Sequence, residues 1–226
     1  MPDTKKGHGL KLFLKLVIGV LVIPLAAGIS IAFYNNVVFV KELAGSLKYL
    51  AWGVFAYVVI HLLFYRPTYL YVLGHETVHA GISWIFGGKI KNFKVSEEGG
   101  SVDTTKSNAV VELGPYFVPI YAIIISIVYF IVASSYNING SVFIFLIGFA
   151  LAFHVISTVE VMKIRQPDIM RSGYIFSIVM AYILNIIVIS LIFELLFPSF
   201  SEKKFLFDAW VLSKQSYVAI VRQLFF

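Results

Sequence analysis

The sequence predicts an all-α polytopic membrane protein, with about six membrane helices, a short β-hairpin and an amphipathic helix at the C-terminus. Three observations predict it. Of the 226 residues, 59% are hydrophobic and only 13% are charged, against about 25% charged in soluble domains; lipid must solvate much of this surface. The apolar residues are gathered into runs near the roughly 20 residues that cross a bilayer. The basic residues sit between those runs, as in membrane proteins.

The elements follow in order. Leu16 to Tyr34 is the first run, with Pro24 inside it. Lys5, Lys6, Lys11 and Lys15 precede it, and Ala26-Ala27-Gly28 imitates a cleavage site. The run is nevertheless longer than a signal-peptide core, so a first membrane helix with a cytoplasmic basic end is expected. Leu47 to Tyr65 is the second run. Tyr69 to Phe86 is apolar but carries His75, Glu76 and His79, and reads as a helix buried among the others. Gly87 to Ala109 is polar. Alternation and a Gly-Gly turn at Glu97 to Gly100 predict strands over Lys89 to Val95 and Ser101 to Thr105.

Leu113 to Ala133 is opened by Gly114, Pro115 and Pro119. Val142 to Val161 follows, then a basic connection from Lys163 to Gly173, then Tyr174 to Phe197, ended by Pro198. Interior Pro and Gly are tolerated where neighbouring helices satisfy the freed backbone groups. In the tail, Phe205, Ala209, Leu212, Tyr217, Ile220 and Leu224 recur at near-helical spacing among charges. This predicts an amphipathic helix, either lying on the membrane surface or packed on the bundle. No internal repeat or low-complexity tract stands out, so residues 1–226 read as one membrane-embedded domain of a multi-pass protein, expected in the cell membrane. Loop charges do not agree on one topology: they place the N-terminus and the Lys163 to Arg171 connection inside and Ser134 to Gly140 outside, whereas six full spans with a cytoplasmic N-terminus would reverse the two connections, so either the His75 helix is re-entrant or the charge rule fails here.

Composition excludes some chemistry. The chain has no cysteine, hence no disulfide, thiol nucleophile or Cys-ligated metal. The net charge of +6 is spread between membrane runs and does not suggest a nucleic-acid partner; the expected partners are the lipid bilayer and a membrane-protein or peptide substrate.

His75-Glu76-Thr77-Val78-His79 is an HExxH motif. Positions i and i+4 share a helix face, so both imidazoles can reach one metal ion, with Glu76 one residue along. This is the arrangement of a zinc hydrolase: the metal activates a water and Glu moves its proton. Chance placement in a chain of this composition gives about 0.004 such motifs. Three ionisable residues within an apolar helix are costly in lipid unless functional. The alternative is a hydrogen-bonded polar cluster between helices. A catalytic zinc takes a third protein ligand and leaves a fourth position open; Asp168, His154, Glu160 and Glu112 are all candidates on chemistry alone. His61 reads as an interhelical hydrogen-bonding residue and His8 as solvated.

These residues resemble the site-2 protease family of intramembrane zinc metalloproteases. The HExxH motif lies in a membrane helix. Gly87 to Val95 looks like the strand that follows it in the family, Glu112-Leu113-Gly114-Pro115 is similar to the opening of the next core helix, and Gln166-Pro167-Asp168-Ile169 supplies an aspartate after a further span. Asp168 with Gly173 looks like the aspartate and later glycine of some bacterial branches. The resemblance covers about residues 69–197, which would form the protease core. Asp168 lacks the adjacent Gly and the preceding Asn of the better-known members, and no Asn follows Gly114-Pro115 shortly downstream.

The resemblance implies one Zn²⁺ held by His75, His79 and Asp168, with Glu76 as general base on the zinc-bound water. His154 would be an alternative ligand or a hydrogen-bonding group beside the site. The hairpin would pair a strand edge with an unwound substrate. Two other function classes fit the composition: a zinc-binding scaffold without activity, which has no need of Glu76, and a transporter, which the lack of internal symmetry disfavours. Zinc content and membrane-peptide cleavage of the wild type and Glu76→Gln discriminate the three.

Overall fold

A computed structural model describes residues 3–64, 66–136, 138–164 and 166–225, with no side-chain description for 3–8 and 11. Tyr65 and Arg165, and the side chains of Lys5, Lys6, His8 and Lys11, lie outside the described residues. The fold is mostly helical with one two-stranded sheet.

Helices α1 (Asp3–Leu21) and α2 (Ile23–Val38) carry the first apolar stretch, Leu12–Val38. They part at Val22, two residues before Pro24, whose missing N–H and bulky ring interrupt the hydrogen-bond ladder. α3 (Leu43–Leu63) follows, then α4 (Thr68–Ile85), the helix of the HExxH motif. Gly87, with φ +76°, and Gly88 end α4 by donating back to the Trp84 and Ser83 carbonyls, as in a left-handed helix stop.

β1 (Ile90–Val95) and β2 (Gly100–Thr104) pair antiparallel, with Val95 opposite Gly100 and Ile90 opposite Thr104. A slip between Ile90 and Asn92 makes the ladder irregular. Next come α5 (Ala109–Leu113), a 3-10 turn (Gly114–Tyr116) and α6 (Ile120–Ser135). The segment before the break and α6 meet at 75°; Pro115 and Pro119 prevent a straight helix here. α7 (Ser141–Lys163), α8 (Pro167–Ser172), α9 (Tyr174–Leu196) and α10 (Glu202–Phe225) complete the chain.

Among the described residues, four helices are long and apolar enough to cross a membrane: Leu12–Val38, α3, α7 and α9; the bent pair ending in α6 makes a fifth if it counts as one span. α4 does not pass that test, because its motif makes it too polar for its 18 residues. Large apolar side chains such as Trp52, Phe55, Ile124 and Phe130 point outward, which suits a lipid solvent. α3 packs tightly on α7 because Gly53 sits against the Phe145 carbonyl and Gly148 against the Leu50 carbonyl; a Cβ at either would collide with backbone. Small residues allow this approach where no hydrophobic effect drives helix pairing.

The first half of the tail helix packs on the bundle, while Tyr217, Ile220 and Leu224 of its expected stripe stay exposed. Phe205, Ala209 and Ser213 of α10 are buried. Phe205 and Ala209 share an apolar cluster with Ile29 and Ala32 of α2 and Phe193 of α9, and Tyr217 donates to the Leu21 carbonyl at 2.6 Å.

Candidate metal centre

One turn of α4 separates His75 from His79, so their rings share a face. Their Nε2 atoms stand 3.2 Å apart. Asp168 Oδ2 is 3.4 Å from His79 Nε2 and 4.0 Å from His75 Nε2. Tetrahedral zinc with bonds of about 2.0–2.1 Å spaces its ligand atoms by roughly 3.3 Å, which the two separations to His79 Nε2 match, while the 4.0 Å between His75 and Asp168 is wider. This is the one group of three or more potential ligands among the described residues.

The other ring nitrogens orient the imidazoles. His79 Nδ1 lies 2.7 Å from the Val111 carbonyl of α5. A carbonyl only accepts, so Nδ1 carries a proton, and a neutral His79 would then keep its Nε2 lone pair free for a cation. His75 Nδ1 lies 3.1 Å from the Tyr71 hydroxyl, one turn back on α4. The edge of the buried Tyr116 packs against the His75 ring, with centroids 5.2 Å apart.

Asp168 is brought here by α8. Pro167 opens that helix, a position where its missing N–H costs nothing. Ile169 is fully buried in a cluster with Leu113, Tyr116 and Ala181. Ser172 donates to Glu112 at 2.7 Å, tying α8 to the same short helix, α5, whose Val111 holds His79. Burial alone would raise the Asp168 carboxyl, but an N–H or positive charge on His79, then on His75, with Arg171 nearby, outweighs it and holds the group below its ordinary value. It is a carboxylate at neutral pH, the state a cation requires.

Glu76 is buried beside the pair. Gly100 of β2 stands directly over it: a Cβ there would lie 2.7 Å from Glu76 Cγ and 2.6 Å from Val72 Cγ1. Only glycine lets the strand come this close. The result is an open cleft of about 750 Å³ walled by α4, β2, α5 and α8, with Glu76, Glu112, Asp168 and Arg171 facing it.

The remaining sequence candidates fall elsewhere. His154 is buried on α7, and its Nε2 lies 2.9 Å from Asn185 Oδ1. Asn185 also donates to the Tyr116 carbonyl at 2.6 Å. His154 thus lies outside the three-donor group, although it shares a void of about 20 Å³ with His75. Glu160 pairs with His61 at 3.1 Å and Arg66 at 3.6 Å. Glu112 serves as the Ser172 acceptor. Sequence reasoning missed Tyr71, Tyr116, Asn185 and the Val111 carbonyl. Tyr71 carried a signal, being four residues before His75 on one helix face. The Val111 carbonyl carried none, since every residue has one.

No protein-family profile, curated protein or solved structure matches this chain.

Proposed function

We propose that this protein is a zinc-dependent endopeptidase that hydrolyses peptide bonds of membrane-protein substrates within the membrane, in the manner of the site-2 protease family. The observation that carries the reading is the set of three donor atoms within 4.0 Å of one another, His75 Nε2, His79 Nε2 and Asp168 Oδ2, with a buried carboxylate, Glu76, beside them. In this reading the bent pair is one span and α4 is a sixth membrane helix, sheltered by the other five in the cell membrane.

When bound, the ion activates a water and polarises a carbonyl oxygen. The chain's own residues do the rest. His75, His79 and Asp168 hold one Zn²⁺ and leave a position for water or substrate. A Glu76 carboxylate oxygen takes the proton of the attacking water and passes it to the leaving amine nitrogen. Replacing Glu76 by Gln should lower cleavage of a membrane-peptide library by about 10²–10⁴-fold while zinc stays stoichiometric. Zinc bound with no cleavage by either protein would favour a scaffold, and absence of stoichiometric zinc would sink both readings.

β2 lies along the cleft, and its edge away from β1 suits an extended substrate strand. Successive N–H groups on a strand point to opposite sides, so one of Ser101 and Val102 serves the ladder and the other the free edge. Proline at the free-edge position should reduce cleavage without loss of zinc. Unchanged cleavage by both proline variants would remove the hairpin from substrate binding.

A further inference from the structure

The chain contains two tyrosine–histidine pairs of the same spacing. Tyr57 and His61 lie four apart on α3, Tyr71 and His75 four apart on α4, and each Tyr Oη lies 3.1 Å from its histidine's Nδ1. Their Nε2 atoms differ. His61 Nε2 meets a carboxylate, Glu160 Oε1, at 3.1 Å, whereas His75 Nε2 meets the Nε2 of His79 at 3.2 Å and lies 4.0 Å from Asp168 Oδ2.

A neutral imidazole carries one N–H. A His75 that offers Nε2 to a cation must carry its proton on Nδ1, and Tyr71 Oη stands where that proton points. We propose that Tyr71 is the positioning residue of the His75 ligand: its hydroxyl oxygen accepts Nδ1–H, fixes the tautomer and ring direction, and so strengthens metal binding. The proposal rests on the zinc reading above.

Hydrogen-bond bookkeeping supports it. A phenol both accepts and donates. The Tyr71 side chain also borders a cavity of about 400 Å³ that Thr68, Ser157 and Glu160 line, and no protein donor competes for its hydroxyl oxygen in the hydrogen bonds of the described residues. On the other ligand the Val111 carbonyl does the same work, out of reach of side-chain substitution. Tyr71 is therefore the side chain through which the orientation of a ligand imidazole can be altered without touching a ligand.

The test uses full-length protein in detergent and zinc alone as the probe. Wild type, Tyr71→Phe, Tyr71→Met and Tyr57→Phe are compared by chelator competition, by the visible absorption of the Co²⁺-loaded protein, and by the unfolding temperature of the metal-free protein. Both Tyr71 variants should bind zinc about 10–100-fold more weakly and shift the Co²⁺ spectrum. Tyr57→Phe, which removes the same bond from the other pair, should bind like wild type. Wild-type affinity in both Tyr71 variants overturns the proposal, as does equal weakening in Tyr57→Phe, which would mark a general packing effect. A wild type that binds no zinc fails the zinc reading itself, and the proposal with it.

Discussion

Among the described residues, two places set histidine against a carboxylate, and they are chemically unlike. Between α3 and α7, His61 is held by Tyr57 on one nitrogen and Glu160 on the other, and Glu160 also faces Arg66. Each polar group there has a partner of complementary kind, so the cluster is closed. Around α4, His79 Nδ1 is held by the Val111 carbonyl, and its Nε2 faces a second imidazole nitrogen and the carboxylate of Asp168. In the proposed zinc reading both Nε2 atoms are acceptors there, and convergent acceptors suit a cation. Sharing residue types and distances is thus not enough to make a metal centre; the direction of the protons separates a structural pair from a ligand set.

The comparison can be broken most directly at the carboxylates. Removing Asp168 as Ala should weaken zinc binding beyond the roughly 100-fold ceiling of outer-partner losses, whereas Glu160→Ala should leave zinc affinity at the wild-type value; equilibrium dialysis with metal analysis checks both. Equal losses in the two variants would erase the distinction. A smaller effect sharpens it from the other side. His61→Ala takes a hydrogen-bond partner from each of Tyr57 and Glu160, so it should cost about 1–3 kcal/mol of stability and leave zinc binding alone. Denaturation in detergent, read beside zinc content, decides. A His61→Ala protein that loses zinc would show that the two clusters act as one.

Much of the fold was legible because lipid imposes a simple rule: a spanning segment must be apolar over roughly 20 residues and satisfy its own backbone. The Val142 to Val161 run became α7 and the Tyr174 to Phe197 run became α9 on that basis, and the hairpin was read from its alternation and its glycines. The rule was less informative where proline intervenes. Leu113 to Ala133 reads as one run, yet Pro115 and Pro119 turn it into a short helix, a turn and a bent partner. The tail was open between two placements because its apolar stripe suits lipid and protein alike. Complementary small residues decided it for the first half of the helix, since Gly28 of α2 accepts the close approach of Ser213.

By itself, the sequence determined a membrane chain with paired imidazoles on one helix face and a carboxylate between them, since helix periodicity and hydropathy are local properties. Which acid stands opposite those imidazoles was not local. Asp168, Glu112, Glu160 and His154 were chemically admissible, and only the tertiary structure separated them. Burial of Ile169 and the Ser172–Glu112 bond carry Asp168 to within 3.4 Å of His79, while Arg66, Ser172 and Asn185 engage the other three. The physical reason is that a ligand set depends on distances of a few ångströms between segments far apart in the chain, and packing sets those distances.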